Sequence, residues 1–401
     1  MLIGIVGKPS SGKSTFLNAA CLTSSKTGDY PFTTIEAVPG TGYVRIPCAC
    51  KELDVTDNPQ NSICIDGTRL VPVPLLDVAG LVPDAWQGRG LGNKLLDDLR
   101  RADVLIHVID FSGSLDADGN NVDRGSYDPE KDIEFLKHEV VKWFEQIVKK
   151  DWPRISKTAE AEKIPLDRLL TEKLAGLAIK QHHIRKALTS SKNNIGLPTR
   201  WTDEELLNFL SILLDVAKPM VFAANKIDIE GSDENFQRLK DKFGDDIIPC
   251  SALAEFFLRK YAENEIISYT PGDSDFKILK PDKISEKDGA TLEKLRENIL
   301  KKYGSTGVQN LINRVVFDIL DVISIYPVED VTKYTDHNGN VLPDVYLVPR
   351  GTTAKEFAGM IHQDLEKSFI NAILVKTQRR VGEKYVLEDG DVIKINAAEG
   401  N

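Results

Sequence analysis

Short apolar runs recur along the first part of the chain, each stopped by a glycine or a polar cluster. Leu2 to Val6 is the first, ended by Gly7. Val71 to Leu76, Val104 to Ile109 and Pro219 to Ala224 follow, with Ile247 to Pro249 a shorter one. Continuous rather than alternating hydrophobicity over so few residues predicts parallel strands buried on both faces. With helical segments between them, the strands predict βαβ units in an α/β fold, a doubly wound sheet with helices on both faces.

From Asp132 to about Val216 the period changes. Apolar residues fall three and four apart in Ile133 to Leu136, Trp143 to Val148 and Leu169 to Leu174, and no comparable strand signal interrupts them. This predicts a helical insertion in the α/β domain. After a helix around Val308 to Val322 the pattern changes again at Tyr326. Alternation over Val341 to Val348, turns at Asn338-Gly339 and Asp389-Gly390, and one helix from about Thr353 to Phe369 predict a small β-grasp-like unit. The expected division is 1–127 and 218–325 for the α/β domain, 128–217 for the insertion and 326–401 for the C-terminal domain.

The 401 residues carry 51 Lys plus Arg against 61 Asp plus Glu, a net charge of −10. That balance argues against a protein held on nucleic acid by its overall field, so no DNA partner is predicted and any RNA contact must be a local patch. Such a patch is present in the insertion. Between Lys142 and Lys192 twelve Lys plus Arg stand against six Asp plus Glu, beside the pair His182 and His183. No stretch reaches about 18 apolar residues, and the apolar start is short and lacks a basic leader. The expectation is a cytoplasmic protein with no membrane partner.

The chemistry begins at Gly7-Lys8-Pro9-Ser10-Ser11-Gly12-Lys13-Ser14, a GxxxxGKS motif between a strand and a helix. Its glycines allow backbone N–H groups to face phosphate oxygens, the helix N-terminus adds its dipole, and Lys13 adds a mobile charge. Ser14 offers a hydroxyl to Mg²⁺, and Thr15 continues the helix start. Asp77-Val78-Ala79-Gly80 ends the Val71 to Leu76 strand, where a carboxylate can hold Mg²⁺-bound water and the Gly80 N–H can meet a γ-phosphate.

Asn225-Lys226-Ile227-Asp228 discriminates among nucleotides. A carboxylate accepts from the N1–H and 2-amino group of guanine, whereas adenine presents an acceptor at N1 and no 2-amino group. Cys250-Ser251-Ala252 follows the next strand, with backbone N–H groups available to guanine O6. A small-molecule kinase is disfavoured, because no acceptor-site motif is visible and the base motif specifies guanine.

These motifs resemble a translation-factor-class GTPase of the Obg family. Tyr30-Pro31-Phe32-Thr33-Thr34-Ile35, the run from Asp77 to Asp103 and Gly304-Ser305-Thr306-Gly307-Val308-Gln309 look like its YchF-related branch. Arg350 to Ala358, Ile361 to Leu365 and Arg380 to Ile395 resemble a TGS domain, the β-grasp module shared with threonyl-tRNA synthetases and stringent-response enzymes.

The resemblance implies GTP hydrolysis as a molecular switch acting on the ribosome or its assembly. The alternatives are a nucleotide-stabilised RNA or ribosome adaptor with little catalytic output, and an ATP-accepting NTPase. It implies a switch threonine at Thr33 or Thr34, with Thr34 favoured, so that Ser14, Thr34 and Asp77 hold Mg²⁺ and Lys13, Thr34 and Gly80 serve the chemistry. Gly7, Pro9, Ser10, Ser11, Gly12, Lys13, Ser14, Thr15, Asp77 and Gly80 would contact the phosphates and metal. Asn225, Lys226, Asp228, Ser251 and Ala252 would contact the base.

Leu81 stands where Ras-like proteins keep a water-orienting glutamine, implying slow intrinsic hydrolysis. Many YchF-like relatives have a degraded fourth motif and accept ATP; Asn225 to Asp228 is intact, which predicts GTP. Ser10 replaces the P-loop asparagine linked to potassium-stimulated hydrolysis, leaving potassium dependence open. The helical insertion and the TGS domain are the candidate contacts for ribosome or structured RNA.

Other residues have plainer readings. Cys48, Cys50 and Cys64 could bind zinc with a fourth ligand, but without a nearby His or fourth Cys the set is incomplete, and free thiols are expected. His107 reads as a core residue rather than a base. Arg89 and Arg100 or Arg101 read as solvated or capping residues rather than internal arginine fingers. Trp143 and Trp152 read as core of the insertion.

Overall fold

The computed structural model describes residues 1–21, 40–78, 98–191 and 197–398. Thr33, Thr34, Gly80, Leu81 and Arg89 lie outside the described residues, as do all of the Tyr30 to Ile35 run and most of the Asp77 to Asp103 run. The large sheet contains β1 (Ile3–Val6), β2 (Gly40–Pro47), β3 (Ile63–Ile65), β4 (Thr68–Asp77), β5 (Val104–Asp110), β6 (Met220–Asn225) and β7 (Ile247–Pro249). Its order is β2-β4-β1-β5-β6-β7, with β3 on β4. β4, β1, β5, β6 and β7 run parallel. β2 and β3 are antiparallel to β4. Neither was expected, because β2 (GTGYVRIP) begins with Gly-Thr-Gly and ends in Pro and so lacks the continuous apolar run of its neighbours.

Parallel pairing aligns the C-terminal ends of five strands. Ile5 stands opposite Asp77, Val6 opposite His107, Asp110 opposite Asn225 and Ala224 opposite Pro249. Motifs more than 200 residues apart therefore emerge on one edge, the usual place for a ligand in an open α/β sheet.

Helices cover both faces. On one, Phe16, Ala19 and Ala20 of the helix Lys13–Ala20 and Leu311 and Ile312 of Val308–Asn313 pack on Ile3, Ile106 and Val221. On the other, Leu136, Val140 and Phe144 of Glu130–Lys149 and Phe209, Leu210 and Leu213 of Asp203–Ala217 pack on Leu76 and Leu105. The first and last helices of the insertion thus serve as a layer of the sheet domain. Trp152 and Trp201, with ring centroids 5.3 Å apart, fill the insertion's core, and Trp143 packs against it half-buried.

After the small hairpin of β8 (Ile267–Ser268) and β9 (Lys277–Ile278), a second sheet contains β10 (Val322–Pro327), β11 (Tyr346–Pro349), β12 (Phe369–Leu374), β13 (Arg379–Val381) and β14 (Asp391–Ala397), ordered β11-β10-β14-β12-β13. Ala354 and Phe357 of the helix Ala354–Ile361 pack on Ile323, Ile325 and Ile393, the β-grasp arrangement. β10 already opens at Val322, upstream of the boundary expected at 326. The expected single helix Thr353 to Phe369 is two helices, because His362 is extended (φ −160°, ψ 137°) and breaks the run.

The two sheets share a core. Tyr326, Val328, Leu342, Val345 and Val392 pack in one cluster with Ile46 and Val71. Main-chain hydrogen bonds from Asn58 to Val341 (2.8 Å) and from Gln60 to Pro343 (2.7 Å) add to that contact. Among the described residues no helix is long and apolar enough to cross a membrane.

Candidate functional site

The phosphate loop is shaped by its backbone. Gly12 has φ +98°, a left-handed conformation, and a Cβ there would lie 2.3 Å from Asn225 Nδ2. Glycine at this position thus satisfies both the turn and a close approach. Ser10 also takes positive φ (64°). Pro9 and Ser10 are exposed at the crest, Ser11 is buried beneath it, and Ser14 presents its side chain outward from the first helical turn, with Thr15 half-buried behind. Ser11 Oγ has no hydrogen-bond partner among the described residues.

Lys13 Nζ bonds the Asp77 carboxylate and donates to the Val78 carbonyl at 2.9 Å. The P-loop cation and the carboxylate at the end of β4 are therefore neighbours. Ser14 and Asp77 supply a hydroxyl and a carboxylate, hard oxygen donors that suit Mg²⁺.

Asn225 joins this half to the other. Its Nδ2 donates to the Ser11 carbonyl at 2.9 Å, and its Oδ1 accepts from the Ala252 N–H at 3.1 Å. Lys226, at φ 62°, turns its ammonium onto Asp110 Oδ2 at 3.1 Å. Ser251 Oγ donates to Asp228 Oδ1 at 2.6 Å, and the Ile227 N–H donates to the Cys250 carbonyl at 3.1 Å. Asp228 is exposed beside this loop, where a base could approach. The Gly304-to-Gln309 stretch braces it from below: Ser251 N–H donates to the Thr306 carbonyl at 2.9 Å, and a Cβ on Gly307 would lie 1.9 Å from the Pro249 carbonyl oxygen.

Three residues that sequence reasoning missed hold these groups. Asp110, at the end of β5, accepts from Ser112 N–H and Oγ, Ser114 Oγ and Lys226. Burial alone would raise its carboxyl, but the Ser112 hydrogen bonds and the Lys226 charge outweigh this and hold it below the usual range. Lys8, nominally a free position of the motif, is buried on Asp132 (2.9 Å) and donates to the Leu115 carbonyl (3.1 Å), with its ammonium 4.0 Å from the Tyr127 ring centroid. The only advance signal for Asp110 was its place at a strand end. Lys8 and Asp132 gave none.

Two candidates fall away from the chemistry. His107 is enclosed in β5 against Phe222, and burial followed by repulsion from Lys8 lowers its pKa to about 3, so it is neutral. Arg100 and Arg101 are exposed just before β5, at its N-terminal end, roughly 20 Å of strand from Asp110.

Of the basic residues in the insertion, Lys149 is paired with Glu145 and Asp203, and Arg185 with Asp167. Lys150, Arg154, Lys157, Lys180 and Lys186 are exposed and form no ion pair among the described residues.

Comparison with known proteins agrees with this layout. Residues 2–152 match the family model of a 50S ribosome-binding GTPase, residues 223–330 that of an Obg-like GTPase, YGR210-like, G4 motif-containing domain, and residues 331–397 a TGS domain. An uncharacterised GTP-binding protein of Methanocaldococcus jannaschii is 45% identical over 99% of both chains. The ribosome-binding ATPase YchF of Bacillus subtilis is 26% identical over 97% of both. The crystal structure of a GTP-binding protein from Pyrococcus horikoshii superposes with a TM-score of 0.76 at 38% identity, covering 99% of this chain and 100% of that one.

Proposed function

The chain belongs to the Obg-like family of P-loop GTP-binding proteins, in its YchF-related branch, and from that premise we propose that it hydrolyses GTP to GDP and phosphate as a switch acting on the ribosome. The observation that carries the choice of guanine is the intact Asn225-to-Asp228 loop, with Asp228 exposed and steadied by Ser251. Its carboxylate matches the two donors of guanine and leaves a desolvated charge unmatched by adenine.

The backbone N–H groups of Gly7 to Thr15 would cradle the phosphates, and Lys13 would leave Asp77 to bridge the β and γ groups. Ser14 and Asp77, with Thr34, would hold Mg²⁺, which supplies charge neutralisation on the phosphate oxygens. Water attacks the γ-phosphorus as the bond to the β–γ bridging oxygen breaks, its proton passing to an oxygen of the released phosphate, and Lys13 meets the charge that develops on the leaving GDP. Ribosome contact is supported by the match of residues 2–152 and by the exposed, unpaired Lys150, Arg154 and Lys157. Single-turnover hydrolysis with and without ribosomes tests the switch. The reading predicts slow basal turnover that ribosomes accelerate, and nucleotide bound without turnover in either condition would replace it with an adaptor.

A further inference from the structure

We propose that Cys48, Cys50, Cys64 and Asp57 form a structural zinc site that fastens the β2–β4 tip to the C-terminal domain. One ligand atom from each of the four lies within 4.8 Å of all the others. Cys48 Sγ is 3.1 Å from Asp57 Oδ2, and Cys50 Sγ is 3.9 Å from Cys64 Sγ. A tetrahedral zinc with Zn–S bonds of about 2.3 Å spaces its sulfurs by about 3.8 Å, with oxygen slightly closer. Little movement would therefore seat the ion. The cluster lies well outside the nucleotide loops, and the catalytic reading does not use it.

The set comes together only through folding. Cys48 caps the short helix Ala49–Glu52 after β2 and Cys50 lies within it, Asp57 is on the following loop and Cys64 in β3. The pairing of Cys64 with Arg69 across β3 and β4, and the Cys48 N–H bond to the Gly67 carbonyl (2.8 Å), draw the segments together. Asp57 is the fourth ligand that spacing among cysteines could not supply.

Cysteine ligates zinc as the thiolate, so binding would displace the thiol protons and uptake should strengthen as pH rises. Arg69 is fully buried with Nη1 2.6 Å from Asp57 Oδ2 and 3.8 Å from Cys48 Sγ, placing a fixed positive charge beside a thiolate-rich centre.

The same guanidinium donates through Nη2 to the Leu342 carbonyl at 2.5 Å and the Pro343 carbonyl at 3.3 Å. Metal, Asp57, Arg69 and the C-terminal domain would thus form one chain of contacts. Zinc is chosen over harder cations because three of the four donors are sulfur.

The full-length chain, reduced and stripped with chelator, is titrated with Co²⁺. The expected result is one equivalent bound with the red d–d bands of a tetrahedral site and a thiolate-to-cobalt charge-transfer band, both bleached by Zn²⁺. Uptake should sharpen with pH, and Zn²⁺ should raise Tm and slow amide exchange over residues 341–345. Cys50→Ser and Cys64→Ser should abolish the tetrahedral spectrum. Asp57→Asn should weaken the ion by about tenfold or more while keeping the charge-transfer band. Folded wild-type chain that gives no thiolate–cobalt band, or a band unchanged in both serine variants, overturns the proposal. That wild-type titration decides the matter even if the variants fold poorly.

Discussion

The side-chain amide of Asn225 donates to the main-chain oxygen of Ser11 at 2.9 Å, so the loop that would read the base is tied directly to the loop that would hold the phosphates. The other end of the same side chain accepts from Ala252. One buried residue therefore sets the distance between two halves of the site before any nucleotide arrives.

Asn225→Ala should leave the Ser11 carbonyl and the Ala252 N–H without their partner, each an unsatisfied group costing on the order of 1–3 kcal/mol. Affinity for GTP and GDP should fall together, by about tenfold or more, because the loss is shared by both ligands. Fluorescent-nucleotide titration checks this, and unchanged affinity for both would contradict the bridging role.

Lys13→Ala removes the charge assigned to the β and γ phosphates, and hydrolysis should fall at least about tenfold. The Asp77 carboxylate then loses its present partner, so urea denaturation of the nucleotide-free chain should be run beside the kinetics. Full hydrolysis in the variant would mean that the phosphate site lies elsewhere.

The candidate nucleotide loops were legible because their residues are contiguous: Gly7 to Ser14 and Asn225 to Asp228 each fall within a single turn, at a strand end that hydrophobicity had already marked. What supports them was not. Asp132 meets Lys8 and Asp110 meets Lys226 only because β1, β5 and β6 lie side by side, a register no local pattern encodes. Asp57 meets the cysteines through a different pairing, that of β2 and β3 with β4. β2 gives no such signal because its glycine-started sequence, interrupted by Arg45 and ended by Pro47, lacks the continuous apolar run of the parallel strands beside it.

His107 makes stability depend on acid. Its folded pKa of about 3 lies below the value of about 6.5 in an unfolded chain. Between those values only the unfolded chain takes the proton, so stability falls on acidification through this window, by up to about 1.4 kcal/mol per pH unit from this group. Its Nδ1 has no partner among the described residues, so His107→Leu should flatten the dependence with no hydrogen bond lost at that nitrogen. Urea midpoints measured from pH 7 to pH 4 give the comparison. An unchanged slope would refute the assignment.

Charge reversal at Lys150, Arg154 and Lys157 should weaken ribosome co-sedimentation and reduce its salt dependence while leaving GTP affinity intact. Truncation before Tyr326 is a poor substitute, because it would strip Tyr326, Leu342 and Val392 from a core shared with Val71. Equal co-sedimentation of variant and parent across a salt series would leave these residues as a solvated helical face.

Guanine recognition by the Asn225-to-Asp228 loop is tested by parallel calorimetric titration of the unmodified protein with GTP and ATP, repeated with xanthosine triphosphate on Asp228→Asn. The parent should prefer GTP by at least about a hundredfold and the variant should shift toward xanthine, because one acceptor becomes a donor. Equal affinity of the parent for ATP and GTP would contradict it.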